Sequence, residues 1–352
     1  MLQALQTLPV DDNGTKLAYL DSGVPSHTSP FGNRYITIFA LHGMAFTCHA
    51  FEKIAIVASS AGVRFVAISR RDYPGSTPLS ATDLRVLNDG TDEEKAQHVR
   101  NRGVEIATFI DKFVEQNELP PPDEKGSGGG FAILGWSLGG THAFATVTNI
   151  DALADAARAR FAHYMRLLIM LEVPDLPIGI TPAPKSWGPT QYKSIPLDLR
   201  LPFFSGWITS YFTHGDLSKR DIDEIEYIVP SPAGVPSIYN MSAEQRAAIV
   251  YNDCALTSEI PLMTCCAAQL HATYEKAAFS KKLREILPNM KVLSLVGDSA
   301  ASFTLVAMFV MEKDDAAHGG GNIQFRLIEG GNHLMFWDKP EVTLRTILDT
   351  MV

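Results

Sequence analysis

The sequence predicts an α/β protein in which a mostly parallel sheet is flanked by helices and a largely helical segment is inserted late in the chain. Three observations predict it. Apolar, β-branched runs alternate with amphipathic helical stretches, the pattern of strand-helix-strand units. The alternation lapses between Leu176 and Pro288 and then resumes. One strand, Phe131 to Gly135, turns directly into a helix through Gly135-Trp136-Ser137-Leu138-Gly139.

The 352 residues suffice for one large core with an insertion, and 46% hydrophobic against 20% charged residues is the balance of an ordinary globular chain. A formal charge of −9, with no lysine or arginine run longer than two, gives no electrostatic footprint for nucleic acid or an anionic membrane surface. The four cysteines, Cys48, Cys254, Cys265 and Cys266, have neither zinc-site nor disulfide-framework spacing and read as buried free thiols. Met1 to Pro9 has no basic start leading into a signal-length apolar run, and no later run is long enough to span a bilayer. The expectation is a cytoplasmic protein acting on a small molecule.

Taken in order, Thr15 to Leu20 reads as an edge strand ended by Asp21-Ser22-Gly23, and Arg34 to Leu41 as a buried strand stopping at His42-Gly43. A helix over Ala50 to Ala61 leads to a strand at Val63 to Ser69. Thr91 opens a long helix to Asn117 as its N-cap, with Asp92, Glu93 and Glu94 where the helix dipole favours acids. Leu119 to Gly130, rich in proline and glycine, is a loop. After Ser137 come helices to about Asn149 and His163, then a strand at Met165 to Leu171 with Glu172 and Asp175 at its mouth. Within the insertion, helices are expected near Ser218 to Tyr227, Ser242 to Leu256 and Pro261 to Leu287. Strands at Lys291 to Val296 and Ile323 to Ile328 enclose a helix near Ala300 to Lys313, and Lys339 to Met351 is the last helix. The expected division is a core of residues 1–175 and 289–352 and a cap of residues 176–288.

Ser137 carries the chemistry. Gly135 and Gly139 permit a cramped turn that lifts its hydroxyl clear of the strand. A serine hydroxyl needs a base to become a nucleophile, and His333 follows the last strand, so it emerges at the same carboxyl edge of the sheet.

At these residues the chain resembles the α/β-hydrolase superfamily. The nucleophile elbow at Ser137, the late histidine and the helical segment after the sixth strand have counterparts there. Leu41-His42-Gly43-Met44 is similar to the family's oxyanion loop, Arg71 to Ser76 to its Asp-x-x-Gly-x-Gly-x-Ser segment, and Asn332 to Pro340 to its histidine-bearing ending. The resemblance implies an eight-stranded α/β-hydrolase fold and an oxyanion hole formed by the backbone N–H groups of Met44 and Leu138. It also implies that no metal or cofactor is needed.

The acid behind the histidine is open. The family's usual Gly-x-x-Asp after the seventh strand appears here as Gly297-Asp298-Ser299-Ala300, with aspartate at the second position. Glu172 resembles the acid position of several haloalkane dehalogenases, whose nucleophile is an aspartate where this chain has Ser137. Glu172, Asp298 and, third, Asp175 are the choices. Trp187, Trp207 and Tyr211 of the insertion, with His42 and Trp136 of the core, are expected to line the substrate pocket. The activity expected is cleavage of a carboxylic ester, lactone or thioester of a small apolar molecule. The same constellation also serves C–C hydrolysis, lyase or acyl-transfer chemistry, or a low-turnover ligand receptor. Substrate identity and oligomeric state are left open.

Overall fold

A computed structural model describes residues 4–25, 34–123 and 128–351. Met1 to Gln3 of the N-terminal reading and part of the Leu119–Gly130 loop lie outside these residues. One sheet organises the chain. Its strands are β1 (Gln6–Pro9), β2 (Lys16–Asp21), β3 (Ile36–Leu41), β4 (Val63–Ser69), β5 (Phe131–Trp136), β6 (Met165–Leu171), β7 (Lys291–Gly297) and β8 (Gln324–Ile328). They lie in the order β1-β2-β4-β3-β5-β6-β7-β8. β1 pairs with β2 and β2 with β4 antiparallel, and every other pairing is parallel.

The central strands are apolar at nearly every position because both faces are covered. In β5, Ala132, Leu134 and Trp136 enter one core layer while Phe131 and Ile133 enter the layer on the other face. In β6 the same alternation sends Leu167, Ile169 and Leu171 one way and Leu168 and Met170 the other.

One expectation at the sheet edge is corrected. The Thr15–Leu20 strand is not at the edge, because β1 pairs outside it. Only Leu8 of the four β1 residues is buried, so no alternation marks it in the sequence.

Helix placement follows local chemistry. Thr91 caps the helix Asp92–Gln116 through a reciprocal capping box with Glu94, its hydroxyl accepting from Glu94 N and the Glu94 carboxylate accepting from Thr91 N at 2.8 Å. Gly103 of this helix lies where a Cβ would stand 2.1 Å from Ala145 O, so only glycine lets it pack so closely on the helix Gly139–Thr148. The helix Pro340–Met351 begins with proline, whose missing N–H is harmless in the first turn.

Between β6 and β7 the expected long helices are shorter. Ser218 to Tyr227 holds two single 3₁₀ turns, Leu217–Lys219 and Ile222–Glu224, fixed by Asp216 and Asp221 side chains accepting from the backbone. Ser242 to Leu256 is helical only over Ala243–Ile249, followed by a π-helical turn, Ala255–Glu259. Pro261 to Leu287 divides into Ile260–Cys265, Ala267–Phe279 and Lys281–Ile286. The last two of these pack on the sheet, with Tyr274, Ala277 and Leu283 in the same core layer as Phe131 and Leu168. Three of the cysteines are buried free thiols, as expected, whereas Cys265 is exposed.

Candidate active site

Ser137 sits on the turn between β5 and the helix Gly139–Thr148 with φ +53°, a left-handed conformation that costs a non-glycine residue about 1–2 kcal/mol. The surroundings hold it there. Ser137 N–H donates to Leu171 O at 2.9 Å, and Gly140 N–H donates to Ser137 O at 2.9 Å. A Cβ on Gly139 would lie 2.1 Å from Leu41 O, and one on Gly135 would lie 2.5 Å from Gly140 Cα. The glycines flanking the serine are therefore steric requirements of the turn.

Glu172, the first residue after β6, also has φ +53° and is completely buried. Its N–H donates to Leu295 O at 2.9 Å, which aims the side chain along the sheet edge. Oε1 accepts from Gly297 N–H at 2.5 Å, and Oε2 accepts from His333 Nδ1–H at 3.0 Å. An ionised carboxylate only accepts, so the hydrogen is on Nδ1 and Nε2 is left as the basic nitrogen. Burial raises the Glu172 carboxyl above its ordinary value, against the opposing pull of its hydrogen bond with His333.

His333 is fixed from behind. Trp136, next to Ser137, donates its indole N–H to His333 O at 3.0 Å, and the two rings lie 5.4 Å apart. Asn332 donates to Thr209 O at 2.8 Å and to Ser237 Oγ at 2.7 Å, tying the histidine loop to the inserted segment. Among the described residues no hydrogen bond joins Ser137 Oγ to the imidazole. Such contacts are often long without a bound substrate and tighten on binding.

Asp298 is elsewhere in the hydrogen-bond network. Its Oδ1 accepts from Gly330 N–H at 2.7 Å and from the Ser299 hydroxyl at 3.0 Å, shaping the turn after β7. It makes no hydrogen bond to His333.

The loop His42 to Ala45 lies directly against Ser137. A Cβ on Gly43 would stand 2.9 Å from Ser137 Cβ. The backbone N–H groups of Met44 and Leu138 donate to no acceptor among the described residues, and both residues line the cavity that contains Ser137. Neighbouring Ala45, at φ +62°, donates to Tyr73 Oη at 3.0 Å and to Glu259 Oε2 at 3.2 Å.

A buried network clasps this loop. Arg70 Nε donates to His42 O at 2.9 Å and Nη2 to Gly43 O at 3.0 Å, and the same guanidinium pairs with Glu259. Tyr73 Oη donates to Glu259 Oε2 at 2.7 Å. Glu259 ends the π-helical turn of the inserted segment, so a residue 186 positions beyond Tyr73 closes the loop's support. The sequence reading missed Arg70, Tyr73 and Glu259. Arg70 precedes and Tyr73 belongs to the Arg71–Ser76 segment whose family likeness was visible, but nothing near Glu259 in the sequence marks it.

Of the residues expected to line the substrate pocket, Trp187 is among those lining the cavity at Ser137, and His42, Trp136, Trp207 and Tyr211 are not. His42 is buried under the loop, with Nδ1–H donating to Gly43 O and Nε2 accepting from Arg70 N–H, both at 3.0 Å. Burial and the Arg70 charge hold its pKa well below the usual histidine range, so it stays neutral. Trp136 packs beneath the site against Phe46, Phe51 and Phe336. Trp207 donates to Ile228 O at 2.9 Å and packs on Trp187 from behind. Tyr211 donates to Asp338 Oδ2 at 2.7 Å and so anchors the inserted segment to the turn after His333.

The cavity over Ser137 encloses about 290 Å³. Its walls include Trp187, Phe204, Ile208, Met263 and Phe303, all apolar. Asp175 stands on the same wall and is almost fully buried, and burial pushes its carboxyl up to about 7. A group whose folded value exceeds its unfolded one stabilises the fold fully below the unfolded value, here near 3.8. That contribution is lost as pH rises through about 7. Asp175→Asn is therefore expected to match the wild type at pH 4 and to exceed it at pH 8, by at most about 4 kcal/mol. Thermal denaturation at both pH values measures the difference, and equal midpoints at pH 8 would refute the burial cost.

Among the described residues no group of three or more histidine, cysteine, aspartate or glutamate side chains is arranged to hold a metal ion. No described helix is long and apolar enough to cross a membrane.

Residues 38–346 match the model of the alpha/beta hydrolase family. No curated protein matches the sequence. Solved structures with the same fold include epoxide hydrolase A from Mycobacterium thermoresistibile, at TM-score 0.56 and 12% identity over 99% of this chain and 98% of that one. An esterase from Exiguobacterium antarcticum matches at TM-score 0.51 and 16% identity over 97% of each chain. A bromoperoxidase from Bacillus anthracis matches at TM-score 0.50 and 14% identity over 98% of this chain and 99% of that one. At such identities the likeness is one of fold. The class defined by fold and family model together is that of the alpha/beta hydrolases. The chain belongs to the alpha/beta hydrolase family.

Proposed function

We propose that this chain is a serine hydrolase that cleaves a carboxylic ester, lactone or thioester of a small, largely apolar substrate through an acyl-enzyme. The observation that carries the reading is the buried Glu172–His333 hydrogen bond at 3.0 Å, which leaves Nε2 basic at the carboxyl edge where Ser137 is raised on its turn. In the proposed reaction His333 Nε2 takes the Ser137 proton as Oγ attacks the substrate carbonyl. The N–H groups of Met44 and Leu138 receive the charge developing on the carbonyl oxygen, a contribution typically worth about 2.7–4 kcal/mol per donor. His333 then returns the proton to the leaving alcohol or thiol, Glu172 steadies the imidazolium, and water releases the acyl group. A serine at the nucleophile position favours acyl transfer over the carboxylate-nucleophile chemistry that the dehalogenase-like acid position would otherwise suggest.

Ser137→Ala is expected to abolish labelling by a fluorophosphonate probe. It is also expected to reduce p-nitrophenyl butyrate turnover by about 10⁴-fold or more. Equal hydrolysis by wild type and variant, with no labelling of either, would remove serine catalysis from the account.

A further inference from the structure

Among the described residues, two buried polar atoms on the wall of the Ser137 cavity have no partner. Asp175 Oδ1 accepts from Leu176 N–H at 2.7 Å, but Oδ2, equally buried, accepts from nothing. Ser186 Oγ, on the same cavity wall, is also buried without a partner. Buried polar groups are almost always satisfied, and leaving one unpaired costs free energy that a bound hydrogen-bonding group recovers.

Asp175 is also held in place. Its carbonyl accepts from Ile178 N–H and Ile180 N–H, both at 3.1 Å, and prolines stand at positions 174 and 177. Apart from Gln191 the remaining large side chains of the cavity are apolar, and among the described residues no lysine or arginine lines it.

The geometry points to a polar subsite formed by Asp175 and Ser186, which selects esters whose acyl chain carries a hydroxyl group. A hydroxyl donates to Asp175 Oδ2 and accepts from Ser186 Oγ–H, satisfying both orphans at once. An ammonium group also has donors for both oxygens, but its charge would have to be desolvated among aromatic and aliphatic walls. The raised Asp175 pKa agrees with a carboxyl that has no cation beside it. This inference rests on the proposed ester hydrolysis for its choice of substrate, while the subsite is testable by binding alone.

The experiment uses the Ser137→Ala protein, so that ligand is not consumed, and isothermal titration with methyl 2- and 3-hydroxybutyrate against methyl butyrate, and methyl 6-hydroxyhexanoate against methyl hexanoate. At least one hydroxylated ester is expected to bind tenfold or more tightly than its plain counterpart. Asp175→Leu and Ser186→Ala, each added to Ser137→Ala, are expected to bring that ratio towards one. The Ser186 variant, a small deletion on the wall, keeps the test valid should the Asp175 variant fail to fold. Equal binding of hydroxylated and plain esters overturns the subsite, as does a preference that survives both substitutions. Tighter binding of methyl 3-aminobutyrate than of methyl 3-hydroxybutyrate overturns the choice of a neutral hydroxyl. Turnover by the wild type is read separately. Hydrolysis without hydroxyl preference refutes only the subsite, and hydroxyl-selective binding without Ser137-dependent hydrolysis refutes only the catalytic reading.

Discussion

Glu172→Gln is expected to lower kcat for p-nitrophenyl butyrate by about 10⁴-fold while the protein stays folded. The size follows from the hydrogen bonds the carboxylate makes, one oxygen accepting from Gly297 N–H at 2.5 Å and the other from His333 Nδ1–H at 3.0 Å. A glutamine has a single oxygen. If that oxygen serves Gly297, the amide NH₂ faces Nδ1 and turns it into an acceptor, which moves the ring proton to Nε2. The imidazole then has no lone pair for the serine proton. If the amide is reversed, two donors oppose each other at Gly297 in a completely buried place, at a cost of about 1–3 kcal/mol. The first orientation wins, and with it the inactive tautomer, the effect known to cost about 10⁴ in kcat when a triad carboxylate is replaced by its amide. Asp298→Asn is the control. Its Oδ1 serves Gly330 and Ser299, a role an amide oxygen retains, and turnover is expected to stay within about twofold. Steady-state kinetics on the two variants measure both effects. Activity retained by Glu172→Gln and lost by Asp298→Asn would exchange the two assignments.

The second large effect is on stability and catalysis together. Glu259→Ala strips the buried Arg70 guanidinium of the carboxylate it pairs with and takes one of the two acceptors from Ala45 N–H, leaving Tyr73. Removing one member of a buried ion pair typically costs about 3–5 kcal/mol, because the remaining charge stays desolvated. A fall of roughly 10 °C in melting midpoint is expected for a chain of this size. Loss of the clasp also loosens the loop that carries the Met44 amide. A donor moved out of line costs about 10²-fold in kcat. Glu259→Gln keeps an acceptor toward Tyr73 and Ala45 while giving up the charge, and is expected to lose less on both counts. Calorimetry and kinetics on the two variants decide the matter. Wild-type kcat in a Glu259→Ala protein of clearly lowered midpoint would confine Glu259 to a structural role.

The inserted segment thereby reaches the candidate site in two ways, through its apolar walls and through the buried network under the His42–Ala45 loop. Gln269, on the helix Ala267–Phe279, adds a peripheral tie by donating to Asp92 Oδ1 at 3.0 Å. That helix and the one after it read as part of the insertion because no strand separates them from it in sequence. In space the helix Ala267–Phe279 packs on the helix Gly139–Thr148, and both it and Lys281–Ile286 join the core layer on that face of the sheet.

Much of this protein was legible before any coordinate. Parallel strands buried on both faces must be continuously apolar, so β3 to β7 stand out along the chain. A strand that turns into a helix within two residues needs glycines at fixed offsets, which singles out Ser137. A base must emerge at the same sheet edge, which selects His333 from ten histidines. These inferences are local, or follow from strand order alone. Side-chain direction and long-range pairing are another matter. β1 hides because one buried residue in four leaves no pattern. His42 and Trp136 sit beside the site in sequence, yet backbone geometry turns their rings into the core. Glu172 and Asp298 end neighbouring strands with equal chemical fitness, and only the tertiary structure decides between them. Glu172, at φ +53°, points its carboxylate at His333, while Asp298 spends its oxygen on its own turn. The sequence singled out Ser137, His333 and the sheet that presents them, because periodicity and glycine spacing are properties of a few adjacent residues. The pairing of Glu172 with His333, the support of the His42–Ala45 loop and the burial of Asp175 were decided by the fold, because each depends on atoms brought together from distant parts of the chain.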